Sequence, residues 1–554
     1  PGVGTGGPGS RAIARPAALM TDSTSVAAQP LDPARGRIGS LVGLASPARL
    51  AALARDNQLF ALALGAGAVL RILAMVGYPG VLWFLGDSYL YLGAALRPRP
   101  DLSKTVGYSF FLRALEPFHS LILVAVVQHL MGLAIGILVY ALLRRSRVAR
   151  HWAALAATPV LLDGNEIQLE HMVMAETLFT FLVMISMTLL LWRPRPSWPA
   201  GLAAGLLTGY AVLVRTEGVP LPLVLAGYLV VRRVGWRPVV AVIAGCAAPI
   251  AGYAIWFHSW NGQYALTRSE GFYLWGRVST FADCAQIRPP ADERRFCLST
   301  PPAKRLPAGT IIWETPKIRH MPGGPVSVRN NRLLRDFAIR AILAQPGGYL
   351  TAIADEAGIA LDWRRYPYPS AGTVSFSYFH LKPQVVPDRS WIPGGTAPRD
   401  VRAYGRASPS RVIRPVAYLI GGYQRVFYTW GPLFGAILAV GLAGLIRFRR
   451  RLGGAGLLPW AAAVVLLITP IATAGLSYRY LIPVLPLSGL AAGLAAVPRN
   501  GGAPRRVAGT SQGSALAAEG SALAAEGSAL APDGLTAAAE YPAAPAQGEA
   551  IRLS

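Results

Sequence analysis

Charged residues are scarce in this chain. Only 14% of its 554 residues are Asp, Glu, Lys or Arg, whereas soluble domains usually carry about 25%. Hydrophobic residues make up 53%. This balance excludes an ordinary soluble domain and predicts a membrane protein.

Acidic residues are especially few. The chain has 27 Asp and Glu against 53 Lys and Arg, which gives a formal net charge of +26. On a soluble chain this excess would favour a nucleic-acid partner. Much of the positive charge lies in short clusters between apolar runs, as the cytoplasmic loops of membrane proteins require. We therefore expect the lipid bilayer as a partner and no nucleic acid.

Cysteine is nearly absent, and three residues are too few for a disulfide-rich scaffold. Cys246 lies inside an apolar run, where we expect it to pack. Cys284 and Cys297 share one long polar loop, so we expect a disulfide between them if that loop is extracytoplasmic. Closing so short a loop would stabilise the fold by roughly 3 kcal/mol.

Several familiar motifs are also missing. The chain has no P-loop, no dinucleotide-binding glycine fingerprint and no G-x-S-x-G elbow. No cleavable signal peptide is visible, because the first apolar run starts too late. The segment from Met20 resembles a natural amino terminus, so we expect residues 1–19 to be an upstream extension.

Long apolar runs predict membrane-spanning helices, because about 20 residues cross the hydrocarbon core. Six runs are long enough, at residues 59–78, 120–143, 171–192, 238–257, 429–447 and 480–497. Four more are shorter or interrupted by Pro and Gly, at residues 151–162, 200–215, 217–233 and 457–474. The expected fold is an all-α polytopic membrane protein with about ten transmembrane helices.

Arginine clusters predict the orientation of these helices. Every even-numbered connection is short and basic, whereas the third connection, 163–171, has three acids and no Lys or Arg. The positive-inside rule then gives ten spans with both termini in the cytoplasm. We expect a multi-pass protein of the plasma membrane.

Two odd-numbered connections, 79–119 and 258–411, are long and are expected to be extracytoplasmic. The second is large enough for a small domain or a cap over the membrane part. A seven-residue repeat, GSALAAE, follows residue 512 and indicates a disordered tail. The expected division is a disordered or interfacial cytoplasmic segment at 1–55, a transmembrane module at 56–260, an extracytoplasmic loop domain at 261–411, a second transmembrane module at 412–498, and a disordered cytoplasmic tail at 499–554.

Two acids are candidates for chemistry. Asp87 follows the first apolar run, in GDSYLY, and is either a catalytic base at the water–membrane boundary or an ordinary helix N-cap. Glu176 is expected about one turn inside the outer end of the fourth span. An ionisable group there usually faces a cavity or a partner, so Glu176 either belongs to the site or makes an interhelical hydrogen bond or salt bridge.

Three arginines are expected at or near the external leaflet: Arg71, Arg215 and Arg479. Guanidinium is the side chain that best matches phosphate geometry, although arginines near helix ends also extend routinely toward the interface. Three that converge on the same side as Asp87 favour a lipid-phosphate site.

A metal site is not indicated, although a divalent metal remains an alternative. Glu166, Glu170 and His171 lie close together in the sequence, but their spacing matches no established ligand set. We expect no cofactor.

Six motifs, in this order, resemble the GT-C-type glycosyltransferases that use polyprenyl-phosphate sugars, a superfamily that includes protein O-mannosyltransferases and aminoarabinose transferases. They are GDSYLY (86–91), TVGYSFFLRAL (105–115), VVQHLMGLAIGILVYALLRR (126–145), MAETLFTFL (174–182), GYAVLVRTEG (209–218) and SYRYLIPVLPL (477–487). The long loop, with its two cysteines, is similar to that of actinobacterial members. The resemblance covers the membrane part, roughly 59–260 and 429–497.

The resemblance implies a catalytic acid in the first external loop, and Asp87 is the matching position. Ser88 stands where protein mannosyltransferases tend to have a second acid. The Arg479 motif implies a place near the carrier phosphate. Tyr89 and Tyr478, beside Asp87 and Arg479, are assigned with the arginines to substrate binding.

The hypothesis is therefore a glycosyltransferase that moves a hexosyl or pentosyl group from a polyprenyl-phosphate carrier to an extracytoplasmic hydroxyl. The acceptor is a protein or an envelope glycan. A transporter or flippase of lipid-linked saccharides is the alternative, since it also needs a basic cavity open to lipid, but no internal repeat of the kind seen in transporters is evident. A receptor or scaffold with an external domain would not account for the arginines.

Overall fold

The computed structural model describes residues 54–405, 411–451 and 453–498. Regular structure within these ranges is helical, apart from one isolated parallel β-bridge between Leu82 and Met172. The all-α prediction is thereby confirmed. The interfacial segment before residue 54 and the repeat-containing tail lie outside the described residues.

Each of the ten predicted spans coincides with a helix. These helices are α1 (Gln58–Gly77), α4 (Leu121–Arg145), α5 (Arg150–Leu162), α7 (Glu176–Leu191), α8 (Trp198–Val214), α9 (Leu221–Val231), α10 (Trp236–Asn261), α20 (Gly431–Arg447), α21 (Leu457–Thr473) and α22 (Val484–Ala495).

Length and hydropathy support a smaller number of complete spans. Within the described part of the chain, Gln58–Gly77, Leu121–Arg145, Trp236–Asn261 and Gly454–Thr473 are long and apolar enough to cross a membrane. Helix α20 and the preceding helix α19 (Arg414–Val426) qualify together, but they are bent by 54° at their junction. The other apolar helices have fewer than 18 residues, so the expected count of ten is not established.

Glycine allows α8 and α10 to pack closely. Gly201, Gly205 and Gly209 follow one another at intervals of four along α8, and so lie on one face of the helix. A Cβ at Gly205 would lie 2.4 Å from the carbonyl oxygen of Val242 on α10. Small residues at this spacing let two membrane helices approach backbone to backbone.

The remaining helices lie outside the predicted spans. The first connection, 79–119, forms α2 (Leu85–Leu96) and α3 (Gly107–Leu115), and the third connection forms α6 (Gly164–Glu170). The long loop forms α11 (Glu270–Val278), α12 (Cys284–Ile287), α13 (Ala308–Glu314), α14 (Pro316–Arg319), α15 (Val328–Ala344), α16 (Pro346–Leu361), α17 (Ala371–Ser375) and α18 (Ala397–Gly405).

The long loop has a hydrophobic cluster of its own. Phe272, Trp275, Ile312 and Phe337 pack together with their neighbours, apart from the main cluster of the apolar helices. Cys284 and Cys297 are joined in a disulfide beside this cluster, with their Cα atoms 6.0 Å apart.

The β-bridge brings the two acid-bearing helices together. Leu82 N donates to His171 O at 2.9 Å, and Val173 N donates to Leu82 O at 3.1 Å. These bonds tie the segment that leads into α2 to the segment that leads into α7. Asp87 and Glu176 lie in the first turns of those two helices.

Candidate active site

Asp87 is paired with two cations. Its carboxylate lies 2.5 Å from Lys104 Nζ and 2.8 Å from Arg479 Nη1, and its side chain is 20% exposed. Lys104 belongs to the same connection, 79–119, whereas Arg479 lies 392 positions beyond Asp87 along the chain. The site therefore brings together residues from near the beginning and near the end of the membrane part of the sequence.

The helix-cap interpretation of Asp87 does not hold. The N-cap of α2 is Phe84, and Asp87 lies inside the first turn. The hydroxyl of Ser88 accepts the hydrogen bond from Phe84 N, at 2.8 Å. Asp87 is thus free of a capping role, although a carboxylate in the first turn is favoured by the helix dipole.

Glu176 is the buried centre of a second ion-pair group. Its carboxylate contacts Arg215, at the end of α8, and lies 3.7 Å from Arg479 Nη1. Arg215 is also paired with Glu217, at 2.7 Å. Because Arg479 contacts Asp87 as well as Glu176, the two groups form one cluster.

This cluster is balanced in charge. Its members are three carboxylates and three cations, namely Asp87, Glu176, Glu217, Lys104, Arg215 and Arg479. Burial disfavours the charged form of Asp87, but Lys104 and Arg479 outweigh it and hold the pKa of that carboxyl well below its ordinary value. Burial lowers the pKa of Lys104, against the attraction of Asp87.

A small pocket adjoins the Asp87–Arg479 pair, since Arg479 is one of its lining residues. We call it the Arg365 pocket; its lining includes Phe84, Asn165, Arg365, Ser377, Tyr478 and Arg479. Tyr478, which was predicted to bind substrate, therefore lies at a cavity. Its hydroxyl is buried and, within the described part of the chain, has no hydrogen-bond partner.

Tyr89 lies in a different environment from Tyr478. It is only 5% exposed, and its ring packs between Trp83 and Trp391, with centroids 5.1 and 4.9 Å away. These contacts hold α2 against the segment that precedes α18. The recorded ring contacts of Tyr89 are packing contacts, and its assignment to substrate binding stays a prediction.

Arg71 has other partners, so of the three arginines the structure brings together Arg215 and Arg479. Its Nε and Nη2 atoms donate to the Glu170 carboxylate at 2.8 and 2.6 Å, and Nη1 donates to the carbonyl oxygens of Gly67 and Leu161. Arg71 and Glu170 are both buried. A guanidinium bound in this way is a structural link between helices.

Two of the three residues considered for a metal, Glu170 and His171, have other partners, whereas the buried Oε1 atom of Glu166 has no hydrogen-bond partner among the described residues. Glu170 Oε2 lies 2.8 Å from His129 Nδ1, and His129 Nε2 lies 3.0 Å from His171 Nδ1. Within residues 54–405, 411–451 and 453–498, no group of three or more His, Cys, Asp and Glu side chains is placed to hold a metal ion.

Replacing Arg71 with Gln should lower the free energy of unfolding by about 3–5 kcal/mol, because Glu170 would remain buried without its cation. Thermal unfolding of the purified protein in detergent measures this effect. Arg193→Gln, at an exposed position after α7, is the control and should change stability by less than about 0.5 kcal/mol. Equal midpoints for the two variants would contradict a structural role for Arg71.

Three important residues were missed from the sequence. Lys104 and Glu217 lie beside or within the quoted motifs, but single charges in external loops carry no distinctive signal. Arg365 lies in the long loop, far in sequence from any motif. Only their contacts in the folded chain identify these three residues.

The chain matches one family of known proteins. Residues 108–240 match the family model of dolichyl-phosphate-mannose-protein mannosyltransferases, the PMT family. We call this stretch the PMT-family domain, after the family model that it matches. It confirms the resemblance to protein O-mannosyltransferases over about a quarter of the chain. None of the curated proteins matches the chain.

Two solved structures are similar to the chain. One is the S. cerevisiae protein O-mannosyltransferase Pmt1–Pmt2 complex bound to the sugar donor, with 15% identity, 41% of this chain and 36% of that chain covered, and a TM-score of 0.30. The other is the Archaeoglobus fulgidus oligosaccharyltransferase in the apo form, with 14% identity, coverage of 79% and 50%, and a TM-score of 0.34. The chain thus spans about a third to a half of the length of these proteins.

The PMT-family domain holds only part of the cluster. Glu176, Arg215 and Glu217 lie within its bounds, whereas Asp87 and Lys104 precede it and Arg479 follows it. The ion pairs across these bounds make one site from three separate stretches of the chain.

Proposed function

We propose that this protein is a membrane glycosyltransferase, which moves a sugar from a polyprenyl-phosphate carrier to the hydroxyl of an extracytoplasmic acceptor. The observation that carries the proposal is the Asp87–Arg479 ion pair beside a pocket, in a chain with a PMT-family domain. A base and a phosphate-binding cation are the two groups that this reaction needs from the protein.

The reaction proceeds in one displacement. The acceptor oxygen attacks the anomeric carbon, and the bond from that carbon to the phosphate oxygen breaks. The electron pair of the broken bond stays on the phosphate, and the hydroxyl proton passes to the Asp87 carboxylate. The configuration at the anomeric carbon is inverted. A positioned base of this kind typically contributes about 10²–10⁴-fold to the rate.

Arg479 connects donor binding to the strength of the base. Lys104 and Arg479 keep Asp87 ionised, which is the form that accepts a proton, but they also make it a weak base. A carrier phosphate that draws Arg479 toward itself removes one of these cations. The basicity of Asp87 therefore rises when the donor is bound.

Glu176 and Arg215 have a supporting role in this proposal. The guanidinium of Arg215 lies between Glu176 and Glu217, so it has little capacity left for a phosphate. Glu176 is fully buried and close to Arg479. We assign this pair to the positioning of Arg479.

The direct test is transfer in proteoliposomes. The protein would be supplied with a panel of radiolabelled polyprenyl-phosphate-linked hexoses and pentoses, and with native envelope fractions as acceptor. We expect sugar transfer with release of an equal amount of free polyprenyl phosphate. Movement of the intact lipid-linked sugar across the bilayer, without release of polyprenyl phosphate, would indicate a transporter instead.

The pH dependence of transfer should change when Lys104 is replaced with Gln. In the native protein, protonation of Asp87 should impair transfer only below about pH 4, because its pKa is held under the ordinary value of 3.8. Removing one of the two cations raises the pKa of Asp87. The acid limb of the pH–rate profile should therefore move to higher pH.

The matched control is Lys304→Gln, at an exposed position in the long loop. It should leave the acid limb where it is in the native protein. Identical profiles for the Lys104 and Lys304 variants would contradict the role of Asp87 as the base.

A further inference from the structure

The Arg365 pocket adjoins a second cavity. This second cavity shares Asn165, Arg365, Tyr478 and Ile482 with it. We call this the outer cavity. Because four lining residues are common to both, the two cavities are neighbours, and Arg479, the partner of Asp87, lines the Arg365 pocket.

Three polar groups in the lining of the Arg365 pocket have no partner. The Arg365 Nε, Tyr478 hydroxyl and Arg479 Nε atoms are buried, and none has a hydrogen-bond partner among the described residues. Buried donors in native proteins are nearly always satisfied by protein, water or ligand. Three such donors at one pocket indicate a ligand rich in acceptor atoms.

The charge of Arg365 is not neutralised by a carboxylate within the described ranges. Its Nη1 atom donates to Asn165 Oδ1 at 3.0 Å. Its guanidinium otherwise faces aromatic rings, with centroid distances of 4.9 Å for Tyr378, 5.6 Å for Tyr428 and 4.9 Å for Tyr478. The cluster around Asp87 is already balanced, three charges against three. Arg365 is therefore the additional cation that an incoming anion would meet.

The outer cavity is apolar along one side. Phe434 of α20 and Leu485 of α22 line it together with Leu481 and Ile482. An isoprenoid chain requires such a surface, whereas a free phosphate ion does not. This apolar side lies opposite no uniform charge, since the rest of the lining includes Asp163, Asp362 and Arg364.

We propose that the Arg365 pocket binds the phosphate of a lipid phosphate, and that the outer cavity takes the first part of the lipid chain. The identity of this ligand as the glycosyl donor rests on the proposed function. Arg365 and Arg479 hold the phosphate from two sides, and the sugar extends toward Asp87. The long external loop therefore contributes a donor-binding residue as well as covering the site.

The test is a binding measurement on the full-length protein in detergent micelles, by native mass spectrometry. The probes are a polyprenyl monophosphate, the matching unphosphorylated polyprenol and inorganic phosphate. Arg365→Gln should weaken binding of the polyprenyl monophosphate by about 10–100-fold, the usual effect of losing a hydrogen bond to a charged group. The matched control is Arg319→Gln, since Arg319 is an exposed residue of the long loop and lines neither cavity.

Tyr478→Phe is the second variant. It removes a hydroxyl without a protein partner and so leaves the fold intact. It should weaken binding of the polyprenyl monophosphate by about threefold to tenfold. Unchanged binding in both the Arg365 and Tyr478 variants, or a larger loss in Arg319→Gln, would overturn the assignment of the pocket.

The other two probes distinguish a site for a lipid phosphate from a site for free inorganic phosphate. The polyprenol should bind at least tenfold more weakly than its phosphate, and inorganic phosphate should compete only weakly. Equal affinity for inorganic phosphate would overturn the lipid part of the proposal. Native protein that binds the polyprenyl monophosphate through Arg365 but transfers no sugar would overturn the proposed function and leave this site in place.

Discussion

Replacing Asp87 with Asn is expected to lower the rate of sugar transfer by about 10²–10⁴-fold, the contribution of a positioned base. The amide has nearly the same shape but cannot accept the acceptor proton. It also removes the negative charge between Lys104 and Arg479. Both cations are then free to bind phosphate, so affinity for a polyprenyl monophosphate should be unchanged or higher.

A base is identified when its loss lowers the rate of sugar transfer but leaves the affinity for the polyprenyl monophosphate unchanged. Asp355→Asn, at an exposed position of α16, is the control and should transfer sugar at the native rate. Single-turnover transfer and native mass spectrometry provide the two measurements. A rate within tenfold of the native value in folded Asp87→Asn protein would remove Asp87 from this role.

Replacing Glu176 with Gln should lower the free energy of unfolding by about 3–5 kcal/mol. Glu176 is fully buried, and its loss leaves Arg215 without one of its two carboxylates. Removing one partner of a buried ion pair is strongly destabilising, whereas replacing both is often close to neutral. The double variant Glu176→Gln/Arg215→Gln should therefore be more stable than Glu176→Gln alone.

Glu217 provides the matched control for this prediction. It pairs with the same arginine, but its side chain is 23% exposed. Glu217→Gln should therefore cost about 1 kcal/mol or less. Chemical denaturation in detergent compares these three variants with the single variant Arg215→Gln. A double variant that loses as much stability as Glu176→Gln and Arg215→Gln together would show that the buried pair is not coupled.

A supporting role for Glu176 also has a kinetic consequence. Glu176 lies 3.7 Å from Arg479 but is not exposed to the pocket. The KM for the donor should rise in Glu176→Gln, because Arg479 is less well held. If Glu176→Gln lowers kcat and leaves the KM unchanged, Glu176 instead contacts the reacting atoms.

The local sequence pattern was sufficient to predict the positions of the helices in the membrane part. Each predicted span contains a helix, and boundaries such as 59–78 against Gln58–Gly77 differ by one residue. Hydrophobic runs are read from neighbouring residues, so no tertiary information is needed. The sequence was a poorer guide to the number of complete spans. Pro, Gly and bends such as that between α19 and α20 shorten the individual helices.

The partners of the three arginines could not be predicted from the sequence. Arg71, Arg215 and Arg479 all read as basic residues near the external end of a span. Arg71 is bound by Glu170, Arg215 by two carboxylates, and Arg479 links Asp87 to the pocket. The choice among these partners depends on which helices pack together, and sequence position does not report it.

The sequence by itself determined a helical membrane protein, the positions of its helices, the resemblance to protein O-mannosyltransferases and the candidate acid Asp87. These properties follow from local composition and short motifs. Only the tertiary structure decided which cations meet Asp87, and that Arg365 stands without a carboxylate at the adjoining pocket. Ion pairs act over a few ångströms in space, and the residues that form them here are as much as 392 positions apart in the chain.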